Sequence, residues 1–472
     1  MESNLPGLSF YEGLLGPLER LLIKMERRGT LIDPVYFKKQ AKVAEARAME
    51  LEVELAGWSI AKKQGIVNWR SSQQTIEFLH GVLKLPKSPV WGKGKVKPDE
   101  IKIDAKALQW LRDYSKKKSL DHTPYLDLLI ELKRCYSSIK YLNKLPLHAD
   151  SNNYLHCTMA PDTATFRLAA RTPELQQIPT KPEKDPYSIR TGFIAPPGMS
   201  YIVADQSQLE MRIQAHLLAK MFGDRTMIDD IMESDCHGKN ALRIYSKVYP
   251  DRMVACVGKG GSIEGARMVP LADLPAAYVK GHPDPFVSNL RDTIKNIAYG
   301  LIYGMTKYSL GAHLKDETGE PIGDERAEQL LFAYIALYPG LQKFFDWAAD
   351  KVKKLGGMYD LVGGFRPIPE GKDSRNWVVM GPGARKAKNT PMQRGAANIM
   401  SLIMLKIEDN IKLQKLGFSQ RLQIHDEIDG YAPIENVEEV EAEIKYEMEN
   451  AFELMCPLEC EPGHGINWHE AK

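Results

Sequence analysis

The sequence predicts a mixed α+β fold, with a helical, basic first third followed by helices interleaved with short strands. Three observations predict it. Residues 14–30, 34–56, 105–118 and 123–145 place apolar side chains at helical spacing. Near residue 150 the texture changes, and residues 153–159 alternate as a strand does. Two further short apolar runs, 198–205 and 421–432, read as a buried strand and a hairpin, and both carry carboxylates at their ends.

A chain of 472 residues has room for two to four domains, and 43% hydrophobic with 26% charged residues places it among ordinary globular proteins. No apolar run is long enough to span a bilayer, and the first residues lack a basic segment followed by an apolar one. Six cysteines in this length do not make a disulfide scaffold, so a reducing cytoplasm is expected. Cys456, Cys460 and His464 have ligand-like spacing without a second pair, which reads as coincidence. Net charge is +2, yet residues 1–150 hold 26 Lys/Arg against 18 Asp/Glu, and residues 421–472 hold 3 against 14. A basic first third suits a phosphate backbone, and the acidic end suits metal ions or a solvated helix.

In chain order, 14–30 is an amphipathic helix closed by Gly29, and 34–56 a second, longer one. A lysine-rich loop follows (Lys84, Lys87, Lys93, Lys95, Lys97, Lys102 and Lys106), read as a mobile surface loop or a grip on a duplex. After the strand at 153–159, residues 163–179 set Arg167, Arg171, Gln176 and Gln177 among small residues. That is either a polar loop or a set of donors for phosphates and minor-groove acceptors. The strand 198–205 ends on Asp205, which suits a Mg²⁺ ligand and equally a helix N-cap. Residues 209–250 read as helical, 251–285 as a Gly/Pro-rich insertion, 325–355 as helix with a turn at Tyr338, and 385–415 as one long helix. The hairpin at 421–432 places Asp426 and Glu427 at its turn, and the acidic run 438–449 reads as a solvated helix face.

Arg291, Lys295, Tyr299 and Tyr303 recur every four residues, so on a helix they form one slowly drifting stripe about 18 Å long. Ile294, Ile297, Leu301 and Ile302 take the opposite, core-facing side. Two cations followed by two rings suit a triphosphate and a nucleoside; a solvated charged face is the alternative.

In this order, these segments resemble the polymerase module of family A DNA polymerases, the DNA polymerase I family. Asp205-Gln-Ser-Gln-Leu-Glu-Met-Arg212 is similar to its motif A. Arg291, Lys295, Tyr299 and Tyr303-Gly304 are similar to motif B, and Gln423-Ile-His-Asp-Glu427 to motif C. Residues 163–179 resemble the template-primer segment before motif A. The resemblance implies a right-hand architecture with helical thumb, antiparallel-sheet palm and helical fingers. Residues 1–24 pack on the palm, 25–147 form the thumb, 148–210 and 385–472 the palm, and 211–384 the fingers.

It also implies dNMP addition to a primer 3′-hydroxyl using two Mg²⁺ ions, with Mn²⁺ as a substitute. Asp205 and Asp426 are the implied metal ligands with the Gln206 carbonyl, and Glu427 supports the site. Arg291, Lys295 and His237 meet the triphosphate, and Lys295 protonates the leaving pyrophosphate. Gln208 belongs to the nucleotide site. Tyr299 packs on the incoming sugar and base, and Tyr303 lies on the template side. Glu210 blocks a ribose 2′-hydroxyl, held by Tyr303, which argues against an RNA-synthesising relative. Tyr at 299 implies tolerance of dideoxynucleotides. Arg167, Gln177, Arg190, Arg385, Asn389, Gln393 and His425 are the implied DNA contacts, and Tyr308 a wedge between strands. Expected partners are primer-template DNA, dNTPs and replication accessory proteins, around a monomer with no membrane. With only a short segment before the thumb, neither a 3′→5′ exonuclease nor a 5′-nuclease is expected.

Overall fold

The computed structural model describes residues 10–62, 65–87, 103–179, 185–233, 235–314, 322–372 and 377–472. Lys93, Lys95, Lys97 and Lys102 of the basic loop lie outside the described residues.

Helix α1 (Gly16–Arg28) buries Leu18, Leu21, Leu22 and Met25 and ends at Gly29, whose φ of 62° permits the turn. Helix α2 (Pro34–Ala61) starts on Asp33, whose carboxylate caps the amides of Val35 and Tyr36. Along it Phe37, Ala41, Ala44, Ala48, Leu51 and Leu55 are buried. Helix α3 (Thr123–Lys144) packs against α2, and Trp58, Trp69, Phe78 and Tyr125 form one ring cluster at the far end of this pair. Each large ring buried there stabilises by roughly 1.5–3 kcal/mol.

Strand β1 (Met199–Gln206) is followed by α4 (Leu209–Phe222), α5 (Cys236–Val248) and α6 (Pro285–Ile302). Next come α7 (Trp377–Asn389) and α8 (Gly395–Asp409), joined by a π-helical segment, Thr390–Arg394. Strands β2 (Ser419–Ile424) and β3 (Glu427–Pro433), helix α9 (Val437–Asn450) and strand β4 (Cys460–Gly465) complete the described core.

The four strands form one antiparallel sheet in the order β2-β3-β1-β4. Tyr201, Ile202, Val203 and Ala204 are all buried, so β1 is covered on both faces, which explains its unbroken apolar run. The register pairs Glu427 with Asp205 on one side of β1 and Glu461 with Asp205 on the other. Helix α1 is tied to this region: Arg28 pairs with Glu408 on α8 at 2.7 Å, and Arg421 of β2 donates to the Arg28 carbonyl at 2.6 Å.

Several expectations are refined or corrected. The 209–250 stretch is helical as expected, divided into three helices with Thr226–Glu233 between α4 and α5. Gly223, at φ 71°, ends the first of them, and Asp235 opens the last. The long helix begins at Trp377 rather than 385 and breaks at Asn410, which caps the short helix Ile411–Lys415. The strand at 153–159 is split into Tyr154–Leu155 and Thr158–Ala160. The irregular 251–285 segment is built: Met253–Ala255 pairs with Met268–Pro270, and Val254, Val269, Leu271 and Leu274 are buried. Its apolar positions are too few and too short for a periodicity to register. His464 pairs with Glu441, and among the described residues no group of three His, Cys, Asp or Glu is placed to hold a metal.

Candidate active site

Asp205 lies inside β1, three residues short of the N-cap position, which Gln208 takes in the left-handed region. That removes the N-cap alternative for Asp205. The backbone amide of Gln206 donates to the carbonyl of Asp426 at 3.0 Å, so the β1 end and the β2–β3 turn are locked side by side. The turn is His425-Asp426, with His425 left-handed at φ 59°; Glu427 is already the first residue of β3 rather than part of the turn. Asp205 and Asp426 are both partly exposed. Burial raises the pKa of both carboxyls. For Asp205 the nearby Lys472 opposes that shift, and for Asp426 Arg167 does.

Glu427 is 1% exposed. It accepts from Trp468 Nε1 at 2.8 Å, from Lys472 Nζ, and from Arg190 at 3.4 Å. The Arg190 guanidinium lies 3.8 Å from the Trp468 ring centroid and also donates to the Ile178 carbonyl. The expected DNA contact of Arg190 is corrected here: the side chain is buried beneath the sheet end and spent on Glu427. Asp429, fully buried two residues beyond Glu427, is pushed well above the ordinary carboxyl range by burial first and then by Glu427.

The tyrosine end of the stripe on helix α6 lies near this sheet end, where Tyr299 interacts with Glu210 and Asp426 and Tyr303 with Glu210 and Arg167. Asp284 caps the first turn of α6, and Ile294, Ile297 and Ile302 are fully buried on the other side. Arg291 is held by Asp235 through two bonds, 2.5 and 3.0 Å. Lys295 is exposed, with Nζ 6.0 Å from the Tyr299 ring centroid. His237 is 2% exposed against Tyr299, and among the described residues neither ring nitrogen has a hydrogen-bond partner. Burial first, then Arg291, lowers its pKa to about 4, so the ring is neutral at pH 7.

Glu210, in the first turn of α4, is 2% exposed. Its carboxylate pairs with Arg167 through Oε1, and the Tyr303 phenol lies near enough to interact with both. Burial raises its pKa and Arg167 opposes that. Tyr303 is 41% exposed, and burial first, then Glu210, pushes its phenol up to about 12. Gln208 accepts from the Cys236 thiol at 3.3 Å. Gly304, at φ 70°, follows the stripe, and a Cβ there would meet Arg385 Cβ at 3.0 Å. Helix α7 therefore passes directly beside the stripe's end. Asn389 of α7 donates to the Ile302 carbonyl at 3.2 Å. Arg385 and Gln177 are exposed, and Gln393 lies half-buried in the π-helical segment. A cavity of about 200 Å³ opens among Thr163, Arg167, Met400, Gln423, His425 and Asp426.

Sequence reasoning missed Asp235 as the holder of Arg291, and Trp468, Lys472 and Asp429 as the surroundings of Glu427. Asp235 had a signal, an acid two residues before His237. Asp429 had one too, lying two residues from Glu427 and so on the same face of β3; Trp468 and Lys472 had none, since only the β1–β4 pairing brings the chain end to Asp205.

The sequence profile of DNA polymerase family A matches residues 35–252 and 274–470. The gap falls on the 253–270 hairpin and its exit. DNA polymerase I of Deinococcus radiodurans is 28% identical over 466 residues, covering 98% of this chain and 42% of that protein. The thermostable DNA polymerase I of Thermus thermophilus is 29% identical over 473 residues, covering 98% and 49%. The chain thus spans somewhat under half the length of the curated relatives it matches. A solved structure, the POL domain of Pol1 from M. smegmatis in complex with DNA primer-template and dNTP, superposes with a TM-score of 0.78 at 26% identity, over 98% of this chain and 71% of that one. Matched along nearly its whole length in sequence and in fold, the chain belongs to DNA polymerase family A.

Proposed function

We propose that this chain is a template-directed DNA polymerase that adds dNMP to a primer 3′-hydroxyl and releases pyrophosphate. One observation carries the reading. Two partly exposed carboxylates, Asp205 and Asp426, are locked side by side by a backbone bond, and the helix carrying Arg291, Lys295, Tyr299 and Tyr303 brings Tyr299 within electrostatic reach of Asp426. In this reading residues 25–147 are the thumb, 148–210 and 385–472 the palm, 211–384 the fingers, and, of the 1–24 segment expected on the palm, 10–24 pack there while 1–9 lie outside the described residues.

The donor set is hard oxygen, two carboxylates and a backbone carbonyl, with room left for substrate phosphate and water, which fits Mg²⁺ and its substitute Mn²⁺. Asp205, Asp426 and the Gln206 carbonyl would hold two such ions, which when bound neutralise charge on the attacking and leaving oxygens. Glu427 stays beneath them as a braced carboxylate. Arg291, oriented in advance by Asp235, and Lys295 bind the triphosphate, and Lys295 passes a proton to the leaving pyrophosphate. The unpartnered ring of His237 gives a phosphate oxygen a neutral N–H. Tyr299 packs on the incoming sugar and base. Glu210, fixed by Arg167 and Tyr303, fills the space of a ribose 2′-hydroxyl. Arg167, Gln177, Arg385, Asn389, Gln393 and His425 face primer and template.

The proposed setting is a monomer working with accessory replication proteins in the cytoplasm of a bacterium or phage-infected cell. Among the described residues no helix is long and apolar enough to cross a membrane. The test is extension of a primed template by the purified chain with four dNTPs and Mg²⁺. Template-coded products that vanish with EDTA are expected; no extension, or extension indifferent to template, would overturn the reading.

A further inference from the structure

The strand register sets Glu427 and Glu461 on either side of Asp205 at the end of β1, with Asp426 next to Glu427 in the turn. Among the described residues, two cations are placed against the Glu427–Asp205 edge. Arg190 is buried and committed to Glu427, to a backbone carbonyl and to the Trp468 ring. Lys472 is different. Its Nζ bonds Glu427 Oε2 and sits 3.8 Å from Asp205 Oδ2, and its side chain is 36% exposed. It bridges the buried support to a metal-ligating carboxylate from the solvent side.

The backbone that presents it is fixed. Trp468 N donates to the Phe193 carbonyl at 2.9 Å, and Ala471 N to the Asn467 carbonyl at 3.1 Å. Asn467 and Glu470 cap one another at 2.9 Å, and Ala471 is buried over Gly463, where a Cβ would lie 2.5 Å from the Ala471 carbonyl. The main chain cannot retreat, while the four-carbon stem of the lysine can swing. An ammonium is a compact point charge with three donors, and so resembles a metal ion in what it offers two carboxylates.

We propose that the Lys472 ammonium is a built-in counter-ion of the metal centre, keeping Asp205 and Glu427 aligned until a divalent cation enters and displaces it. The inference rests on the metal-centre reading above. Lys472 acts through the carboxylates and is a positioning residue. Its presence makes metal entry a cation exchange, which weakens binding of metal to the bare protein and leaves the ligand geometry ready.

The test is Mn²⁺ binding to the nucleotide-free and DNA-free chain, by electron paramagnetic resonance titration, with melting followed in EDTA and in Mn²⁺. Lys472→Gln removes the charge and keeps a donor to Glu427. It is expected to bind Mn²⁺ roughly tenfold more tightly, since one unit charge about 4 Å from the ligands is gone. It is also expected to melt below wild type in EDTA, with the gap closing in Mn²⁺. Lys472→Arg keeps the charge in a bulkier, planar group and is expected to bind Mn²⁺ less tightly than Lys472→Gln. Equal or weaker Mn²⁺ binding by Lys472→Gln, with Asp205→Asn still abolishing it, would overturn the counter-ion role alone. Mn²⁺ binding indifferent to Asp205→Asn would overturn the metal centre and this inference together.

Discussion

Replacing Glu210 by Ala tests the sugar filter with a magnitude the structure supplies. Glu210 is 2% exposed, with one carboxylate oxygen paired to Arg167 and the Tyr303 phenol close by. A ribose 2′-hydroxyl pressed against this braced group meets an already filled space. Overpacking of that kind costs about 1–3 kcal/mol. At 1.4 kcal/mol per decade, discrimination between dNTP and rNTP, as the ratio of kcat/KM values, should fall by roughly 5- to 150-fold in Glu210→Ala. Most of the change should be a gain for the rNTP. Arg167 loses its partner, but its side chain is 35% exposed, so the cost in stability stays at the low end, about 1 kcal/mol. Glu210→Gln keeps the shape and should keep most of the discrimination. Single-nucleotide incorporation on a primed template measures all three proteins. A folded Glu210→Ala whose ratio is unchanged, or whose dNTP and rNTP rates fall together, would refute the argument.

Tyr299→Phe should raise discrimination against ddNTPs about tenfold or more, the worth of one hydrogen bond near charged phosphate, as read from competing ddNTP and dNTP incorporation. Equal tolerance in the two proteins would remove the hydroxyl from the account. Arg190→Ala leaves Glu427 buried without its guanidinium, so urea unfolding should show a loss of about 3–5 kcal/mol, with primer-template affinity near wild type below the transition. A large loss of affinity in a stable variant would restore Arg190 as a DNA contact. The His237 pKa, lowered to about 4, makes the folded state resist protonation that the unfolded chain accepts near 6.5. Stability from this group is therefore present above pH 6.5 and lost as pH falls toward 4, by up to about 3 kcal/mol. His237→Gln should lose less stability than wild type between pH 7 and 4.5, and parallel losses would contradict the assignment.

The sequence carried the site where local chemistry repeats or terminates. The four-residue period of α6 fixed both faces of that helix, and the carboxylate-ended runs located β1 and the β2–β3 turn. It could not tell an N-cap from a ligand at Asp205, because both need a carboxylate at a strand end; Gln208 in the N-cap position removes the first of these. Arg190 reads like any exposed cation in sequence, and only the sheet end and Trp468 bury it. The 253–270 hairpin escaped notice because three-residue strands leave no period. The brace of Glu427 comes from residues some forty positions away, through a strand pairing that no local pattern encodes.

The central claim is that Asp205 and Asp426 form one metal-dependent centre for nucleotidyl transfer. Single-turnover primer extension in Mg²⁺ by wild type, Asp205→Asn and Asp426→Asn, with primer-template binding measured in parallel, tests it most directly. Each variant should bind primer-template within a few-fold of wild type and lose at least about 10³-fold in rate, since a metal ligand contributes several kcal/mol to the transition state. Extension at wild-type rate by either variant would contradict the claim.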